Sequence, residues 1–170
     1  MKIEQIYTSC LSQGSYYIVS EKEAVIIDPL RETQQYIDKA KKDGVKIKYV
    51  FETHFHADFV SGHIDLARNT GAEIIFGPNA QTDYPVHNAK DSEIFNVGKI
   101  KIKAIHTPGH TPESTCYLLS DENGKNKAIF TAKKNAVNHQ LFHRVKFFNR
   151  SFEKVFNKKF DLVVSNPPYI

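Results

Sequence analysis

Residues 53–59 read THFHADF. Two histidines stand one residue apart and an aspartate follows two further on, all of them side chains that bind metal ions. In an extended or turning segment, residues i and i+2 share a side, so His54 and His56 can converge on one ion. A helix would set them apart. Upstream, KIKYVFETH at 46–54 reads as a buried strand that runs into this cluster. The C-terminal ends of such strands are where α/β architectures gather their sites. A second histidine loop, HTPGH at 106–110, also follows a strand, and its Pro-Gly sets a sharp turn that holds His110. His54, His56 and His110 are therefore candidate ligands, against the alternative of ordinary hydrogen-bonded surface histidines. Asp58 is either a fourth ligand or a group that orients a histidine.

The other histidines carry less. His106 reads as structural within its turn, His63 as an orienting or surface residue, and His87 as solvated in a polar loop. His139 and His143 have an i,i+4 spacing with no carboxylate beside them, which is a weak metal signal.

Outward from these loops, the first 131 residues read as strands with two helices between them. KIEQIYTS and SYYIVS alternate as half-buried strands do, and EAVIIDP at 23–29 is a buried strand ended by Asp28-Pro29. The first helix is predicted in RETQQYIDKAKKDG, with Tyr36, Ile37 and Ala40 on one face and Gly44 as its stop. The second is predicted over 59–70 and stops at Gly71. Residues 93–105 read as a hairpin around Val97-Gly98, and STCYLLSDENGKNKAIFT as another turning at Asn123-Gly124. After Thr131 the pattern changes to a helical stretch, short ambiguous segments, and a buried strand FDLVVS leading to Asn166, Pro167, Pro168 and Tyr169.

The chain has 170 residues and a net charge of +4. That length suits one domain with a real core. Residues 132–170 hold eight Lys/Arg against two acids, whereas residues 1–131 hold 15 against 17. The step marks a seam. A basic tail can meet nucleic acid, but a solvated helix face is the plainer reading, and no nucleic-acid partner is expected. No apolar run approaches a membrane span, and MKIEQIYTSC lacks a secretory h-region. Cys10 and Cys116 are isolated, as reduced thiols would be, so a cytoplasmic location is expected. Cys116 reads as a small core residue.

ETHFHADFVSGH at 52–63, with IIDP at 26–29 and HTPGHTPES at 106–114, resembles the metallo-β-lactamase superfamily. The likeness is strongest to its persulfide dioxygenase and glyoxalase II branch, which AEIIFGPNAQTDYPVHNAKD at 72–91 also resembles. The resemblance covers about 1–131. It implies an α/β fold, an αββα sandwich of two sheets between helices, with the second half cut short in this chain. It also implies a metal centre acting on a small thiol or persulfide substrate. In the dioxygenases Fe(II) is held by the residues matching His54 and His110 and by one aspartate; in the hydrolases Zn is bound. The family's HxHxDH ends here in Phe59, which speaks against a complete second metal site. Where the family's strand runs on into Gly-Asp, this chain has Ala132-Lys133 after AIFT. The implied reading is a persulfide dioxygenase impaired by loss of that aspartate, with His54, His56, Asp58 and His110 as its catalytic and metal-binding set. The alternatives are a zinc thioester hydrolase of glyoxalase II type and a non-catalytic fusion with a basic tail.

The tail itself is similar to release-factor glutamine methyltransferases, whose NPPY motif grips a substrate amide. By that resemblance the positions are Asn166, Pro167, Pro168 and Tyr169, in a fragment of 132–170 from which no methyl transfer is expected because no Gly-rich cofactor loop precedes it.

Overall fold

The strands β2 (Gln13–Ser20) and β3 (Glu23–Ile27) pair antiparallel and bury both of their faces. Alternation then sorts their side chains. Tyr16, Ile18, Val25 and Ile27 point into a core between two sheets, while Tyr17, Val19, Ala24 and Ile26 point the other way, under helices. A computed structural model describes residues 1–8, 13–132 and 162–166 of this chain.

The first sheet runs β1 (Lys2–Thr8), β2, β3, β4 (Lys46–Phe51), β5 (Glu73–Phe76) and β6 (His87–Asn88). It is antiparallel up to β3 and parallel from there on. Parallel neighbours need a crossover. Helix α1 (Gln34–Asp43) links β3 to β4, and α2 (His63–Thr70) links β4 to β5. Tyr36, Ala40 and Leu66 seat these helices on one face of the sheet. Both helices end on a glycine with positive φ, Gly44 at 63° and Gly71 at 70°, where a side chain would be strained.

The second sheet runs β7 (Ile94–Val97), β8 (Ile100–His106), β9 (Thr115–Ser120), β10 (Asn126–Ala132) and β11 (Leu162–Asn166). Its first four strands form two antiparallel hairpins, as predicted, and β11 pairs parallel with β10. Phe95, Val97, Ile102, Tyr117, Leu119 and Phe130 fill the space between the sheets. The described residues thus give a helix–sheet–sheet arrangement, with no helix described on the outer face of the second sheet. Of residues 133–170, only β11 is described; His139, His143, Pro167, Pro168 and Tyr169 lie outside the described residues, as does Cys10.

One expected element starts late. The second helix begins at His63, not at residue 59. The reason is tertiary: Gly62 donates its N–H to Pro29 O at 3.0 Å, and Ser61 bridges to Leu30. Phe59 packs on the His56 ring with centroids 4.3 Å apart. These contacts hold 59–62 as a loop. His87 is also not simply solvated, since its ring lies 2.8 Å from Glu93 and 3.3 Å from Glu73.

Phe51 closes the core beneath the site, fully buried against Phe95 and Tyr117 with centroids 5.3 and 4.7 Å away. Phe51→Ala should therefore cost about 3–5 kcal/mol. The measurement is a urea melt, in which the midpoint falls and the slope stays unchanged.

Candidate metal centre

The site is built where β3 and β4 end side by side. Asp28 follows β3 with φ 49°, a left-handed value rare outside glycine, asparagine and aspartate. That turn directs its buried carboxylate toward the neighbouring chain. Asp28 Oδ1 accepts the Thr53 N–H at 2.8 Å, and Oδ2 accepts the Thr53 hydroxyl at 2.8 Å. His56 Nε2 lies 3.0 Å from Oδ1, a close charge contact that is not aligned as a hydrogen bond.

This carboxylate decides which ring nitrogens are available. A hydroxyl has one proton, and the proton of Thr53 goes to Asp28. Thr53 Oγ1 must then accept from His54 Nδ1, 2.9 Å away. The His54 lone pair is left on Nε2. For His56, Asp28 and Glu52 lie at 3.0 and 3.7 Å from Nε2 and favour the proton there. Its Nδ1 is buried with no hydrogen-bond partner, and the Asp58 carboxylate is 3.8 Å off. A buried ring nitrogen without a partner is costly unless something occupies it. His54 thus presents a free lone pair on Nε2, whereas His56 can offer Nδ1 only once a proton leaves that nitrogen.

The HTPGH loop brings the third ring. His54 and His110 have centroids 4.9 Å apart, and His54 and His56 4.2 Å. Imidazoles bound to one zinc at about 2.0–2.1 Å per nitrogen hold their ring centres roughly 5 Å apart. His54 thus lies beside both of the other rings, at separations compatible with shared ligation. Asp58 stands at the rim with its side chain 45% exposed. His106 turns away and lies 2.9 Å from Pro112 O, within its own loop. Asn166 is on β11 in the second sheet, paired with Ala132 at the end of β10.

Among the described residues, the group whose ligand atoms all lie within 4.8 Å of one another is Asp28, Glu52 and His56. They are better understood as the support behind His56. Both Asp28 oxygens already accept from Thr53, and Glu52 Oε1 accepts the Ser61 hydroxyl at 2.7 Å. Such carboxylates set the tautomer and orientation of a ligating histidine. Behind them, His63 Nε2 is 2.8 Å from the Tyr84 hydroxyl. Sequence reasoning named Asp28 only as a strand end and did not single out Glu52. The available signal was an acid directly after the apolar end of each of two strands, VII before Asp28 and YVF before Glu52.

Burial and charge fix the protonation of the metal-free site. Burial, reinforced by positive His56, pushes His54 down to about 4, and the same two causes bring His63 to about 4. Burial opposes the charge on His56, but Asp28 and Glu52 outweigh it and raise the ring to about 9. Burial raises Glu52 to about 8. Burial works to raise Asp28 as well, but His56 and Thr53 more than offset it and hold Asp28 below its ordinary value. Metal entry must therefore displace a proton from His56.

Residues 10–82 match the family model described as Metallo-beta-lactamase superfamily. A metallo-beta-lactamase from Staphylococcus aureus superposes with a TM-score of 0.72 at 40% identity, over 78% of this chain and 43% of that one. The chain carries the metallo-beta-lactamase superfamily fold. Among its relatives, ETHE1 from Myxococcus xanthus gives a TM-score of 0.68 at 29% identity, over 78% of this chain and 57% of that one. A probable hydroxyacylglutathione hydrolase of Schizosaccharomyces pombe is 32% identical over 69% of this chain and 46% of its own length. The chain spans about half the length of the curated relatives it matches.

Two outcomes are expected. Asp28→Asn leaves buried His56 facing an uncharged amide and should cost about 3–5 kcal/mol, read by chemical denaturation. The metal-free protein should also be most stable near pH 6.5. Below that, the unfolded chain protonates at positions 54 and 63 while the folded chain stays neutral down to about pH 4, so acid favours unfolding. Above it, the folded chain holds protons on Glu52 up to about pH 8 and on His56 up to about pH 9 that the unfolded chain releases, so base also favours unfolding. Melting temperatures taken across this range check the sign on each side.

Proposed function

We propose that this chain is a metal-dependent enzyme that cleaves a thioester of a glutathione-type thiol, with one zinc ion held by His54, His56 and His110. The observation that carries this reading is the gathering of the His56 and His110 rings around His54, whose Nε2 lone pair is left free by the Asp28–Thr53 hydrogen bonds. Three histidines with an open position form the donor set of a hydrolytic zinc site. The curated relatives named as hydroxyacylglutathione hydrolases support the substrate class.

Zinc in this position supplies Lewis acidity toward the thioester carbonyl. The remaining steps belong to side chains. Asp58, half-exposed beside His56, is placed to accept a proton from an attacking water. Asp28 keeps the rings of His54 and His56 oriented while charge changes in front of them. Phe59 covers one side of His56, where the family pattern has a further histidine, so the site holds one ion rather than two.

A second reading, oxidation of a glutathione-type persulfide with Fe(II) and O₂, is favoured by that single-ion arrangement and by the likeness to ETHE1. It needs a carboxylate ligand. Ala132 ends β10 where the family's Gly-Asp begins, and Lys133 lies outside the described residues, so Asp58 would have to serve. Residues 1–131 form the catalytic unit in either reading, with a cytoplasmic location. We place residues 132–170 as a methyltransferase-like segment joined to the second sheet through Ala132 and β11.

The test is metal content by mass spectrometry together with thiol release from an acylated glutathione, under nitrogen and in air. Near-stoichiometric zinc, lost in a His54→Ala/His110→Ala variant, and thiol release without O₂ are the expected results. O₂ uptake with sulfite production from a glutathione persulfide would transfer support to the second reading. No metal above the double variant's level would remove both.

A further inference from the structure

The two histidine loops come from different sheets, and something must fix one against the other. Thr115 N donates to Thr53 O at 2.9 Å, joining the root of β9 to the end of β4. Two residues further along the first loop, the backbone N–H of Phe55 donates to Glu113 Oε1 at 2.8 Å. Phe55 sits between His54 and His56, and Glu113 lies three residues beyond His110. Glu113 is 3% exposed. Its carboxylate thus reaches from the loop of His110 to the backbone N–H of the residue between the other two histidines.

The geometry points to Glu113 as a positioning residue for the metal centre, one that holds the His54–His56 pair at the spacing at which His110 can join it. This inference rests on the metal reading above and deepens it. Its backbone is well anchored for the task. Glu113 O accepts the Thr115 hydroxyl at 3.0 Å, and Ser114 Oγ accepts the Thr111 N–H at 3.1 Å and lies 2.7 Å from the Thr111 hydroxyl. Gly77 passes so close that a Cβ there would lie 2.0 Å from Glu113 O, which leaves the loop no room to slide. On the other side, the Phe55 ring packs on Phe76 with centroids 4.7 Å apart, directing its side chain away from the imidazoles. Without the carboxylate, the Phe55 amide loses its acceptor and the 54–56 segment can turn. Both imidazoles would then leave the arrangement set by Asp28.

The experiment uses the full chain and zinc alone, titrated against a chromophoric chelator, with amide exchange followed at Phe55. Glu113→Ala should speed exchange at Phe55 and weaken zinc binding about 10–100-fold, as loss of an outer partner of a metal site does. Glu113→Gln keeps an acceptor oxygen and should restore both. Should Glu113→Ala fail to fold, Glu113→Asp, one methylene too short to reach, gives the same comparison. A purely structural residue would lower the melting temperature and leave zinc affinity of the folded protein unchanged. Unchanged affinity alongside a deprotected Phe55 amide would therefore overturn the inference while leaving the metal reading intact. Absence of zinc binding in the unsubstituted chain would overturn both, and exchange at Phe55 would then report the tie as a fold contact only.

Discussion

Asp28 is the group on which the site depends. It is an aspartate buried at the end of a strand, in a backbone conformation that few side chains adopt. A buried carboxylate is expensive unless charge and hydrogen bonds surround it. Here Thr53 supplies two donors and His56 supplies the charge. Satisfying the carboxylate orders the histidine loop, because the same contacts set the tautomer of His54 and the rotation of His56. The cost of burying one charge is thereby converted into orientation of two rings.

The sheets make that possible. β3 and β4 are parallel neighbours, so their C-terminal ends lie together and Asp28 can reach Thr53 across 25 residues of chain. The aromatic group of Phe51, Phe95 and Tyr117 lies directly beneath, and Tyr117 donates its hydroxyl to Glu52 O at 2.9 Å. The second sheet is therefore bonded to the base of the site and does more than cover the core. It carries His110 in the loop that leads into β9, a strand whose placement is fixed by that contact and by Thr115.

The parts of the fold legible in sequence were those with local causes. Alternation in β1, apolar runs in β3 and at the end of β4, and glycines with positive φ gave the strands and the helix ends. β2 was expected to be half-buried but is buried on both faces, because the second sheet packs on one side of it and the helices on the other. The start of α2 was misplaced because 59–62 are held by Pro29, Leu30 and the His56 ring, contacts that no local propensity encodes. His87 was read as solvated for a similar reason, its carboxylate neighbours coming from other strands.

By itself the sequence determined which candidate donors occur and at what spacings. HxHxD after a buried strand and a later HTPGH are residue types at fixed spacings, and spacing is a property of the chain. Only the tertiary structure decided how those residues are presented. Which nitrogen of each histidine is free depends on a carboxylate 26 and 28 residues upstream, and the spacing of the two loops depends on Glu113 meeting a backbone amide 58 residues away. Those are facts of orientation between strands of two sheets. A chain read in one dimension carries the donors, but not the directions in which they point.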